Sequence, residues 1–357
     1  MKYKDIDSPS LLIFKDRVVQ NIREMIRVAG GTARLMPHVK TNKMEAVIRL
    51  MMAEGITRFK AATIAEAELA AMAGAESVLI SHQLVGPKIH RLKNLVEKYP
   101  ATAFSTLADC REVADELSRV MEQVSVYLDI NNGMNRTGHE VNEDLGPFLD
   151  HVLSKGNILV RGLHIYDGHI TDADFSEREK RVDQGMHLLD QFIRAATEKT
   201  GNLELVCGGS PAFTAHVKAE NRILSPGTSV FWDWGYGDKF TEQHFSPAAW
   251  VLTRVISKPA AGIITVDMGH KAVSAENPVN LRIRFPENPD LRLISQSEEH
   301  GVLETDRWEN YRVGDVLLGI PYHVCPTVNL YDQASVFDQG QYAGTWEIAA
   351  RKRKITV

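Results

Sequence analysis

A chain of 357 residues, 44% hydrophobic and 24% charged, is long for one ordinary domain; it fits a barrel of roughly 250 residues followed by a second unit. A net charge of −5, with no basic run except Arg351-Lys-Arg-Lys354, argues against nucleic acid as a partner, and no apolar run is long enough to span a bilayer. Cys110, Cys207 and Cys325 do not make a disulfide framework, and Met1-Lys-Tyr-Lys-Asp5 lacks the apolar core of a signal peptide, so the expected location is the cytoplasm.

Asp7-Ser-Pro-Ser10 is a turn signal before the apolar run Leu11-Leu-Ile-Phe14. Val18, Val19, Ile22, Met25 and Ile26 then share one face of a helix starting near Lys15. From there short β-like runs alternate with helical patterns. The strand candidates are 34–39, 58–63, 77–82, 102–106, 124–130, 159–166, 203–207 and 222–230. Helical patterns between them include 43–54, 64–74, 107–121 and 176–200. Eight strands in one α/β alternation predict a (β/α)8 TIM-type barrel over 11–238. Beyond it the helical periods vanish and short β runs appear at 249–256, 262–266, 281–285 and 316–320. These predict a mainly-β domain over 239–357, completed by residues 1–10.

In such barrels function collects at the C-terminal strand ends. Those ends carry Lys40, Thr63, His82, Thr106, Asp129, Tyr166 to His169, Gly208-Gly-Ser210 and Gly227-Thr228. Lys40, just after the apolar run that ends in Pro37, is in an unusual place for an ammonium, because desolvating it is costly. A buried lysine of lowered pKa suits a Schiff base; the plainer reading is a helix start whose ammonium reaches water. Gly208, Gly209 and Ser210, with Gly227 and Thr228 one strand later, can aim N–H groups at a phosphate, although a Gly-Gly-Ser run is also an ordinary turn. A lysine on the first strand facing a phosphate on the last two is the layout of a pyridoxal 5'-phosphate site. Arg136, in the loop after the fifth strand, is either a hydrogen-bond partner of the cofactor's phenolate or a surface arginine. Tyr166 offers an aromatic face and a phenol, and His169 reads as a proton carrier or as a loop histidine.

Pro37-His-Val-Lys-Thr-Asn-Lys43, Asn135-Arg-Thr-Gly138, Tyr166-Asp-Gly-His169 and Gly208-Gly-Ser210 together resemble the fold type III, alanine racemase-like pyridoxal phosphate enzymes. The resemblance is nearest to the D-threonine aldolase and D-serine dehydratase branch. It continues through Val266-Asp-Met-Gly-His-Lys271 and Glu298-Glu-His-Gly301 to Pro321-Tyr-His-Val-Cys-Pro-Thr-Val-Asn-Leu330, so it covers nearly the whole chain. It implies Lys40 as the Schiff-base lysine, a cofactor set that includes His38, and a homodimer whose partner β-domain helps close each site.

His323-Val-Cys325 places imidazole and thiol at i and i+2, which on an extended strand point the same way. Alone, a His-x-Cys pair is more simply structural. The resemblance implies a divalent metal at His323 and Cys325. D-threonine aldolases often carry aspartate at the second position and prefer manganese or magnesium, whereas cysteine there is the pattern of zinc-dependent dehydratases of D-serine and D-threo-3-hydroxyaspartate. The soft thiolate favours zinc, with manganese and magnesium as alternatives. The implied activity is a lyase acting on small D-3-hydroxy-α-amino acids, of the D-threonine aldolase type with the dehydratase as alternative. An amino-acid racemase and a non-catalytic cofactor carrier follow behind.

Overall fold

The computed structural model describes residues 2–357. The chain forms two compact units that interleave in sequence: residues 25–40, 48–227 and 352–357 in one, residues 2–24, 41–47 and 228–351 in the other.

The first unit is a parallel barrel. Its regular strands are β1 (Arg58–Ala61), β2 (Ser77–Ile80), β3 (Ala103–Ala108), β4 (Val124–Asn131), β5 (Ile158–Ile165), β6 (Glu204–Cys207) and β7 (Arg222–Leu224), each hydrogen-bonded in parallel to the next. The predicted strand 34–39 is not a regular strand: it makes only isolated parallel bridges, Leu35 to Leu224 and His38 to Lys60. Pro37 has no N–H to give the ladder. The segment still closes the ring, because Met36 N–H donates to Leu224 O and His38 N–H to Pro226 O on one side. On the other, Val39 N–H donates to Lys60 O and Lys60 N–H to Pro37 O.

Residues of alternating strand positions fill the interior in layers. Met36, Leu79, Leu107, Tyr127, Val206 and Ile223 form the apolar middle. At the strands' N-terminal end, Arg58 and the Tyr127 hydroxyl both bond the Glu204 carboxylate. Gly162 lets β5 approach β6, since a Cβ there would sit 2.0 Å from Glu204 O. Thr63 caps the helix Ile64–Ala73 by accepting from Glu66 N–H, so it is a structural residue.

Three predicted spans differ from what forms. The helix placed at 107–121 runs only over Arg111–Val120, because β3 extends to Ala108. The single helix 176–200 is two, Phe175–His187 and Asp190–Thr200, joined by a tight turn in which Leu189 N–H bonds Met186 O. The strand 222–230 stops at Leu224 and a 3-10 turn occupies Thr228–Val230.

The second unit is built on a nine-stranded, mostly antiparallel sheet. Ala249–Ala260 is its long central strand, flanked by Ser10–Phe14, Ile263–Val266 and Val316–Pro321. Ser10–Phe14 pairs in parallel with Gln333–Asp338, which carries the hairpin strand Gln341–Glu347. The run expected at 281–285 shrinks to Ile283–Arg284. Ile6, Leu12, Phe14, Trp250, Leu252, Leu318, Ile320 and Phe337 form its core.

Candidate active site

At the C-terminal mouth of the barrel lies a cavity of about 440 Å³ whose walls include His38, Lys40, Lys60, Asp129, Arg136, His164 and Tyr166. Tyr166, one residue beyond β5, is its centrepiece. The Arg136 guanidinium lies 5.0 Å from the ring centroid, Lys60 Nζ 5.4 Å and Lys40 Nζ 5.9 Å. The ring occupies a slot with glycine walls. A Cβ on Gly168 would meet Tyr166 Cε1 at 2.4 Å, and one on Gly209 would meet Cε2 at 2.9 Å. His164 is near-parallel to the ring, at 6.3 Å between centroids.

Beneath Tyr166 three buried groups from β1, β4 and β5 form a chain. His164 Nδ1 donates to Asp129 Oδ1 at 2.7 Å, and His164 Nε2 lies 3.5 Å from Lys60 Nζ. Burial, with Lys60 and Arg136 nearby, holds His164 below its usual pKa despite Asp129. The neutral ring then carries its proton on Nδ1 and turns a bare Nε2 to Lys60. Burial, and next the Lys40 charge, lower the Lys60 ammonium to about 7 although Asp167, Asp129 and Cys207 oppose the shift. His38 Nδ1 accepts from Lys40 N–H at 3.3 Å, and its Nε2 lies 3.3 Å from Ser81 Oγ.

Gly208, Gly209 and Ser210 are buried past the end of β6. The left-handed Gly208 (φ +67°) could not carry a Cβ, which would reach Phe213 Cα at 2.9 Å. Gly227 N–H donates to Ser210 Oγ at 3.0 Å, tying the two loops together. Gly208 and Gly209 carry no side chains, so this loop can bring backbone N–H groups close to an anion. Behind the loop His216 Nε2 donates to Asp167 Oδ2 at 2.6 Å, while Arg222 donates to His216 Nδ1 at 3.0 Å.

His169 does not line the cavity. Burial holds its imidazole below the usual pKa, so it is neutral at pH 7, and its Nδ1 is buried without a partner among the described residues. His82 is at the cavity wall with Nδ1 on Gln83 O, and Thr106 is a buried strand residue.

In the second unit, His323 and Cys325 do not sit on a strand. His323 is the N-cap of a short helix, Val324–Val328, in which Pro326 occupies the first turn. The two side chains nevertheless hydrogen-bond each other. His323 Nδ1 lies 2.7 Å from Glu276 Oε1, which leaves Nε2 for Cys325 or a metal, the carboxylate–histidine arrangement common at metal sites. Burial alone would lower His323, but Cys325, Asp233 and Glu276 raise it to about 9. Cys325 Sγ is 3.1 Å from Thr41 Oγ1 and 3.4 Å from Thr228 Oγ1, which places the Thr228 hydroxyl against sulfur. No group of three or more His, Cys, Asp or Glu side chains that could hold a metal converges among the described residues; His323 and Cys325 together offer one nitrogen and one sulfur. That donor set fits zinc with an open coordination sphere.

The residues that the sequence reading passed over are Lys60, His164 and Ser81. Lys60 and His164 sit at alternating, inward positions of predicted strands, between Phe59 and Ala61 and between Leu163 and Ile165. A charged residue flanked that way is the signal that could have found them.

A parallel barrel with a lysine, an arginine and a tyrosine converging at its mouth, followed by a β-sheet unit, defines an alanine racemase-like fold. The alanine racemase N-terminal domain model matches residues 13–233, so the chain belongs to that family, and a D-serine-dehydratase-like domain model matches residues 248–337. The chain is 26% identical to a 3-hydroxy-D-aspartate aldolase from Paracoccus denitrificans (strain Pd 1222), covering 98% of this chain and 94% of that protein. It is also 26% identical to a D-threonine aldolase from Arthrobacter sp, covering 97% and 93%. Among solved structures, the D-threonine aldolase from Filomicrobium marinum superposes with a TM-score of 0.88 at 26% identity, over 98% of this chain and 96% of that one. The D-threo-3-hydroxyaspartate dehydratase from a Delftia species shares the fold, with a TM-score of 0.78 at 22% identity over 97% of this chain and 98% of that one.

Proposed function

We propose that this protein is a pyridoxal phosphate- and divalent-metal-dependent lyase that cleaves D-3-hydroxy-α-amino acids to glycine and an aldehyde, in the manner of a D-threonine aldolase. The observation that carries the reading is the convergence of Lys40 and Arg136 on the Tyr166 ring, beside the glycine loop whose Gly209 packs on that ring. Lys40 supplies the amine that holds the cofactor aldehyde, and Arg136 supplies donors to its phenolate oxygen. The N–H groups of Gly208 and Gly209, with Ser210, hold its phosphate, and Tyr166 supports the ring. When bound, the cofactor acts as an electron sink for the pair left on Cα. His323 and Cys325 hold a divalent ion, whose chemistry is to acidify a hydroxyl. His169, the proton carrier suggested by the sequence, is neutral at pH 7 but stands outside the cavity walls, so no proton step is assigned to it.

Cys325 favours a second reading, dehydration to a 2-oxo acid and ammonia, in which the Lys40 amine takes the α-proton. A homodimer belongs to either reading and is checked by sedimentation. Functionally, the cofactor-loaded protein is expected to consume D-threonine and to leave L-threonine and D-alanine unchanged. Racemisation of D-alanine, with D-threonine untouched, would overturn the lyase assignment.

A further inference from the structure

Lys60, His164 and Asp129 have no part in the reading above, yet all three are buried at the cavity wall, with relative exposures of 2%, 5% and 3%. A structural barrel floor would be apolar there, since each of these groups is expensive to bury. They are also ordered in a specific way. Asp129 fixes the Nδ1–H tautomer of His164, and His164 presents a lone pair on Nε2 towards Lys60 Nζ. Lys60 and Lys40 then face the same ring, at 5.4 and 5.9 Å from its centroid, across one solvent-sized cavity.

We infer that Lys60, held by His164 and Asp129, is the proton store for Lys40. It is a positioning residue that takes the proton Lys40 must lose to become a nucleophile and returns it when Lys40 is released. The step balances: Lys40–NH3+ and Lys60–NH2 become Lys40–NH2 and Lys60–NH3+, with a cavity water carrying the proton. The groups that face Lys60 are Lys40, Asp129, His164, Asp167 and Cys207, with Arg136 acting on His164. The two carboxylates and the His164 lone pair stabilise the proton on Lys60; Lys40, once neutral, no longer repels it. The inference rests on Lys40 being the cofactor lysine.

Full-length protein stripped of cofactor, as wild type, Lys60→Met and Lys60→Arg, is reloaded with pyridoxal 5'-phosphate between about pH 5 and pH 10, following the visible band of the lysine-bound cofactor. Wild-type loading should rise through a titration near 7. Both variants should load at least about tenfold slower at neutral pH, and added imidazole should accelerate them and not the wild type. In parallel, NMR of 13Cε-labelled lysine should show one lysine titrating near 7 in the wild type and lost in Lys60→Arg. Normal loading by Lys60→Arg would mean that charge alone suffices, and it overturns the proposal. So does the absence of a lysine titrating near 7. A wild type that titrates in the NMR experiment but never forms the visible band overturns the cofactor reading and the relay with it.

Discussion

Gly209→Ala perturbs the cofactor site through one methyl group. Its carbon would lie 2.9 Å from Tyr166 Cε2 and 3.4 Å from the Tyr166 hydroxyl, inside the ~3.5–4.0 Å at which carbon atoms pack. The ring must therefore move by about half an ångström. It cannot move towards Gly168, whose own backbone already leaves too little room for a Cβ. Overpacking of this kind costs about 1–3 kcal/mol, which corresponds to roughly 5- to 150-fold in a dissociation constant if the strain is felt on the cofactor. Gly208, one residue earlier, would feel the same displacement through the loop. The assay is titration of the stripped protein with pyridoxal 5'-phosphate, read by visible absorbance. Urea unfolding alongside it separates local from global damage. A variant that binds the cofactor within twofold of wild type would refute the claim that the Tyr166 ring and the Gly208–Gly209 loop share one binding site.

Three further outcomes are expected. Lys60 binds its proton below pH ~7 when folded and below ~10.4 when unfolded, so between those values the unfolded chain holds more protons and stability rises with pH. The slope is at most about 1.4 kcal/mol per pH unit, and Lys60→Met should be more stable than wild type at pH 7 and flat across that window in urea midpoints. Removal of metal with a chelator should stop turnover and leave the cofactor band in place; Cys325→Ala should lose the ion by elemental analysis, and full activity in either case would remove His323 and Cys325 from the chemistry. Asp129→Ala strands the buried Nδ1–H of His164 and should cost about 1–3 kcal/mol, with Asp129→Asn recovering part of it because its carbonyl still accepts.

The barrel was legible because parallel strands buried on both faces read as short apolar runs between helical periods, and the resemblance extended that reading into the second unit. What escaped has physical causes. Segment 34–39 has strand composition, but Pro37 denies it a ladder, so it closes the barrel by bridges alone. Leu188 and Leu189 continue the apolar period across the break between two helices, so periodicity could not reveal the turn at Leu189. The runs 281–285 and 316–320 both read as strands, and only pairing decides that one forms two strand residues and the other six. His323-Val-Cys325 suggested a strand by its i, i+2 spacing, yet Pro326 starts a helix and the side chains meet through the extended N-cap. Lys40, Arg136 and Tyr166 were visible as strand-end residues because the barrel rule names that address. Lys60 and His164 were not, because they lie inside strands, where a charged residue is expected to point outwards.

The central claim is tested most directly by identifying what the cofactor-loaded protein makes from D-threonine, with zinc and manganese supplied in parallel. Glycine and acetaldehyde in equal amounts, formed only with metal present, are the predicted result. 2-Oxobutanoate and ammonia in their place would contradict it and make Cys325 the mark of a dehydratase.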